Sequence, residues 1–145
     1  MQATVPPSSD VVPGGFRVVQ SNVAQKIVVA DLEGEVALVV SAPTIQKVGV
    51  CRYLSQQVLR DFLNEFLSQA TELAGVKIRI IAYGGQDVMG VQQRMREVMT
   101  TCNEMDGDRH ILHLISSDIG RYSSFEYHPA TDSVTPHIRN QGFSR

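Results

Sequence analysis

Two cysteines and four histidines are the side chains here best suited to nucleophilic or acid–base work. Cys51 ends an apolar run, KVGVC, just before a long helical pattern. Amides at the start of that helix and the adjacent Arg52 would both favour a thiolate there. The plainer reading of Cys51 is a small hydrophobe on an apolar strand. Cys102 falls on the apolar stripe of a second helical pattern and reads as packing. His110 and His113 are three residues apart in RHILHLIS. On a strand they face opposite sides and cannot chelate one metal together. Either could serve a thiol as base, although no spacing rule pairs one with Cys51. His128, before Pro129 in a turn, and His137 read as surface residues. Asp31, Glu33 and Glu35 could hold a cation, but a solvated turn between two hairpin strands accounts for them more simply. Gly84-Gly85-Gln86 follows a strand and precedes a helix, as an anion-cradling loop would. It has neither GxGxxG nor a GKS/GKT ending, and two glycines there fit a backbone requirement. No metal and no cofactor is expected.

The elements that must position these residues are short. Residues 1–15, with Pro6, Pro7, Pro13, Gly14 and Gly15, read as a loose arm before a single domain over residues 16–145. Four β-branched runs follow: Phe16 to Gln20, Lys26 to Ala30, Val36 to Val40 and Lys47 to Cys51. They are broken by turn residues, which predicts strands, and their close spacing favours antiparallel hairpins. A 3.6-residue period then predicts a helix from about Tyr53 to Ala74, with Leu54, Val58, Leu59, Phe62, Leu63, Phe66, Leu67, Ala70 and Leu73 on one stripe and Gly75 as its stop. VKIRIIAY (Val76 to Tyr83) reads as a strand. A second helix spans about Val88 to Met105 on a softer stripe of Met89, Val91, Met95, Val98, Met99 and Cys102. Arg109 to Ser116 is a further strand, and Phe125 to His128 with Ser133 to Ile138 form a closing hairpin. The expected fold class is α+β: a layered α/β/β sandwich with two main helices packed on a mostly antiparallel or mixed sheet.

Composition narrows the function. The chain has 145 residues, 43% hydrophobic and 19% charged, enough apolar material for one core. Thirteen basic against fifteen acidic residues give a net charge of -2, with no basic run. Nucleic acid and anionic membrane surfaces are therefore not expected partners. No apolar run approaches the roughly 20 residues of a bilayer span, and MQATVPPSSD has no secretory pattern, so a cytoplasmic location is expected.

Taken in order, these pieces resemble the CheD family, the chemoreceptor glutamine deamidases of bacterial chemotaxis. KIRIIAYGG (Lys77 to Gly85) is similar to the family's strand ending in a double glycine. HILHLISSDIGRYSSFEYHPATDSV (His110 to Val134) is similar to its strand, Asp-containing loop, Gly-Arg step and closing hairpin. EGEVALVVSAPTIQKVGV (Glu33 to Val50) is similar to its first hairpin. The resemblance runs from about Lys26 to Val134 and implies an α/β/β sandwich with chemoreceptors or a chemotaxis regulator as protein partners. It departs from the family where the chemistry belongs. The position of the family's nucleophilic Cys is Glu35, that of its His is Tyr53 and that of its assisting Thr is Val29. Amide hydrolysis needs a strong nucleophile and a proton donor for departing ammonia, which this set lacks. The expectation is a CheD-like domain without deamidase activity, binding a protein partner through the old cleft at Glu35, Cys51, Tyr53, Gly84 and Gly85. The alternatives are a thiol-dependent amidase using Cys51 and an unrelated small α+β binding module.

Overall fold

The run VALVV, apolar at every position rather than at every second one, requires a strand covered on both faces. The computed structural model has that arrangement. It describes residues 8–12, 14–30, 32, 35–68, 76–84, 88–106, 112–119 and 124–136. In chain order the elements are β1 (Ser8–Asp10), β2 (Phe16–Gln20), β3 (Lys26–Val29), β4 (Val36–Ala42), a single 3-10 turn (Pro43–Ile45), β5 (Lys47–Tyr53), α1 (Gln56–Leu67), β6 (Lys77–Gly84), α2 (Val88–Asp106), β7 (Leu112–Ile119), β8 (Phe125–His128) and β9 (Ser133–Pro136).

Five strands form one sheet in the order β2-β5-β4-β6-β7, antiparallel except for the parallel β6–β7 pair that α2 connects. Four form a second sheet, β1-β3-β8-β9, antiparallel except for β1–β3. Val36, Leu38 and Val40 of β4 pack with Leu59, Phe62 and Phe66 of α1 and Val98 and Cys102 of α2. Ala37 and Val39, on the other face, pack with Ile27 and Val29 of β3 and Phe125 and Tyr127 of β8. The layers are thus helices, five-stranded sheet, four-stranded sheet: the expected α/β/β sandwich.

Several expectations about connection and boundary are corrected. Neighbouring runs do not all form hairpins: β2 pairs with β5, while β3 crosses to the other sheet and pairs with β8. Part of the expected loose arm lies inside the fold, since Ser8–Asp10 pairs with β3 and Val11 is buried. Tyr53 belongs to β5 and not to the helix, because the Ser55 hydroxyl caps α1 by accepting from the Val58 amide at 3.3 Å. Leu54 therefore precedes the helix and is 63% exposed. At the other end α1 stops at Leu67 with Ser68 as its cap, and Ala70, Leu73 and Gly75 lie outside the described residues. On α2 the buried stripe runs Met95, Val98, Cys102, Met105, leaving Met99 exposed. Residues 109–111 of the expected strand lie outside the described residues, and β7 (Leu112–Ile119) runs beyond the expected end at Ser116 to take in Asp118, which pairs with Tyr83, because it follows β6 along its length.

Gly49 marks where this packing is tightest. It lies in β5 opposite Val18, and a Cβ there would come within 2.7 Å of the Arg17 carbonyl oxygen and 2.8 Å of Phe62 Cε1. The Phe62 ring cannot swing away, being wedged between Phe16 and Phe66 with centroids 5.4 and 5.8 Å away. Gly49→Ala is therefore expected to lower stability by roughly 1–3 kcal/mol through overpacking, read from the urea midpoint.

Candidate functional site

Val29, Glu35 and Tyr53, which the resemblance would align with catalytic positions, come to one end of the five-stranded sheet but not to one face of it. Strand alternation divides them. Val36 and Tyr53 are register partners facing the helices, so Glu35, one residue earlier, falls on the side of the second sheet. Val29 lies in the apolar layer between the sheets at 0% exposure. Cys51 and Tyr53 face the helices. Gly84 is buried in β6 beside Val36, and Gly85 lies outside the described residues. The expected cleft is therefore not one surface: the β4–β5 pair separates the Glu35 side from the Cys51 and Tyr53 side.

Each of these side chains is already engaged. Arg52, between Cys51 and Tyr53, points to the opposite face from both. Its guanidinium forms an ion pair with Glu35 and donates to the carbonyls of Val11 at 3.2 Å and Ala30 at 2.7 Å. The expected solvated hairpin turn is replaced by this clamp, since β3 and β4 belong to different sheets and Glu35 must meet a cation brought from β5. Asp31, Glu33 and Gly34 lie outside the described residues. Tyr53 donates its hydroxyl to Glu97 Oε1 of α2 at 2.6 Å. Burial, then the hydrogen bond and charge of Glu97, push the phenol well above its usual value.

Cys51 carries no sign of activation. It sits at 0% exposure among the core residues below α1 and α2, five residues before the helix begins, too deep for helix-start amides. Burial raises its thiol from 9.0 to about 12, the reverse of what Arg52 was expected to do. Cys102 packs in the same core, and burial raises it from 9.0 to about 11. His113 pairs with Ile78 along β7, while His110 and His137 lie outside the described residues. His128 has Thr135 Oγ1 at 3.0 Å and Glu126 at 3.8 Å, in keeping with a surface position.

A second locus escaped the sequence reading. At the opposite end of β4, a cleft of about 440 Å³ opens between the two sheets, lined by Ser41 and Val48 below and by the β8–β9 turn above. Ser41 is a serine at an inward position of an otherwise apolar strand, a signal present in VALVVSA. Its partner wall comes from residues 129–132, which sequence distance does not bring near.

Comparison with known proteins leaves the reading to the residues: no family model matches the chain, and no curated protein matches it. Among the described residues no helix is long and apolar enough to cross a membrane.

Three outcomes follow. With both thiols protonated and enclosed, labelling by iodoacetamide at pH 8 should run about a hundredfold or more slower in the native protein than in urea. Below pH 9 the Cys51 thiol is protonated in both folded and unfolded chains. Between pH 9 and about 12 only the unfolded chain loses that proton, so the urea midpoint should fall across this window and fall less steeply in Cys51→Ala. For the clamp, Glu35→Ala strands a guanidinium that is only 6% exposed. It should cost about 3 kcal/mol by urea unfolding, and the double variant Glu35→Leu/Arg52→Met should recover part of that loss.

Proposed function

We propose that this chain is a CheD-like domain without deamidase activity that acts as a protein-binding regulatory module of bacterial chemotaxis in the cytoplasm. One observation carries the reading: the side chains standing at the family's reactive positions are committed to holding the fold together. Glu35 neutralises Arg52, Tyr53 is tied to Glu97, and Val29 fills the layer between the sheets. The frame in which such a site would be built remains, with its layers in the order the resemblance implies.

The thiol-dependent amidase is the weaker reading, because a nucleophile at Cys51 would need both access and a low pKa, and burial opposes each. The binding reading has a surface available beside the same end of the sheet. Val12 and Leu54 are 64% and 63% exposed. The turn carrying Val12 is joined to β5 by the Arg52 amide donating to the Gly15 carbonyl at 3.0 Å. Gly14, with φ +76°, brings that turn under Leu54: a Cβ on it would lie 3.1 Å from Leu54 Cδ2. Two apolar side chains held outward by a tight turn form an anchor for the apolar face of a receptor helix.

Co-precipitation with a chemoreceptor cytoplasmic fragment tests this. Wild type should retain the fragment, and Val12→Asp/Leu54→Asp should reduce retention about tenfold or more while leaving the urea midpoint near wild type. Incubation with the same fragment should release no ammonia above the blank. Ammonia release that disappears in Cys51→Ala would replace the proposal by the amidase reading, and equal retention of the double variant would remove the surface.

A further inference from the structure

The cleft at the far end of β4 is separated from the Glu35 and Tyr53 end by the length of the strand. Its floor is Ser41 and Val48, register partners on β4 and β5 that face the second sheet. Its roof is the β8–β9 turn, and Gln46 and Ser21 stand at its side, joined by the Ser21 amide donating to the Gln46 carbonyl at 3.0 Å. The volume, about 440 Å³, is that of a small-molecule pocket rather than a packing defect.

Three observations point to an occupant. First, Ser41 is 3% exposed and lines the cleft, and its hydroxyl makes no hydrogen bond to another described side chain. The cleft is open, so water meets that hydroxyl until a ligand takes over its donor and its acceptor. Second, the walls are fixed in advance. Gln46 (φ 56°) and Asp132 (φ 51°) are the two non-glycine residues with positive φ among the described residues, and both line this cleft. Each is held by a turn bond, Gln46 N to the Pro43 carbonyl at 3.0 Å and Asp132 N to the Pro129 carbonyl at 3.3 Å. Third, the cleft offers no free charge. Asp132 is the one ionisable residue in its lining, and its carboxylate is engaged by the Arg79 guanidinium and by the Tyr127 hydroxyl at 2.7 Å. Burial, and then that hydrogen bond, push the Tyr127 phenol well above its usual value, so it stays a donor.

We infer that this cleft binds a small uncharged polyhydroxy molecule, of the sugar or polyol class, with one of its hydroxyls on Ser41. A ligand hydroxyl both donates and accepts, as Ser41 does, and the neighbouring Ser21, Thr131 and Gln46 present the same dual character around the rim. Val48 supplies an apolar floor for the carbon-bound hydrogens of such a molecule. An anion would meet the Asp132 carboxylate, and a cation would have to compete with Arg79 for it.

The experiment is a titration of the full chain, followed by two-dimensional ¹H–¹⁵N NMR, with D-glucose, myo-inositol, glucose 6-phosphate and N-methylacetamide in separate arms. At least one of the two neutral polyols should give saturable shifts at the amides of Ser41, Gln46 and Thr131. Glucose 6-phosphate should bind about tenfold more weakly, and Ser41→Ala, which removes one oxygen without changing the backbone, should weaken the polyol about fivefold or more. The spectrum of Ser41→Ala away from the cleft should match wild type, which separates loss of the contact from loss of the fold. Absence of saturation by both polyols, unchanged affinity in Ser41→Ala, tighter binding of the phosphate, or saturation by N-methylacetamide alone would each overturn the proposal.

Discussion

Strand β4 has no face turned to water: all seven residues from Val36 to Ala42 are buried. Four of them turn to the helices, and the remaining three to the second sheet. A strand in this position can carry almost nothing polar, since an uncompensated polar group there costs on the order of 1–3 kcal/mol. The order of layers, the choice of β-branched side chains and the pairing of β5 and β6 along both edges of β4 all follow from filling those two faces. Polar chemistry is thereby pushed to the two ends of the strand. Glu35 and Arg52 stand at one end, Ser41 at the other, and in each case a turn from the second sheet or its neighbourhood completes the environment.

Arg52 shows what this arrangement asks of a charge. Its position in KVGVCRY places it, by simple alternation, in the layer between the sheets, where a lone guanidinium would be untenable. The chain meets it with a carboxylate from the start of β4 and with carbonyls from the segments flanking β1 and β3. The same residue thus ties three separate stretches of chain at the rim of the sandwich. A carboxylate in this role neutralises a cation and is not at liberty to attack a substrate. Glu35 thereby braces the rim of the sandwich at that end of β4.

Much of this fold was legible in the residues and some was not, for identifiable reasons. The apolar runs of β4, β5 and β6 and the stripe of α1 report their own burial, because period and composition are local properties. The hairpin expectation failed at β2 and β3 because adjacency along the chain does not fix which sheet a strand joins; that depends on residues 125–128, about a hundred positions later. The opposed directions of Cys51 and Arg52 were readable from the two-residue period, yet reading them as neighbours in sequence made them partners in chemistry. The Ser55 cap was likewise visible, and it places Tyr53 on a strand. The cleft beside Ser41 was beyond sequence reasoning, since its two walls come from turns some ninety residues apart.

That long reach has a cost during synthesis. The four-stranded sheet cannot close until β8 arrives, and until then Ile27, Val29, Ala37 and Val39 have no cover. A nascent chain that has emerged only as far as α2 would present a wide oily surface flanked by unsatisfied backbone, the state most prone to sticking to its neighbours. The last dozen described residues, modest in themselves, close the layer between the sheets, and a chain ending before Phe125 would leave that apolar face open.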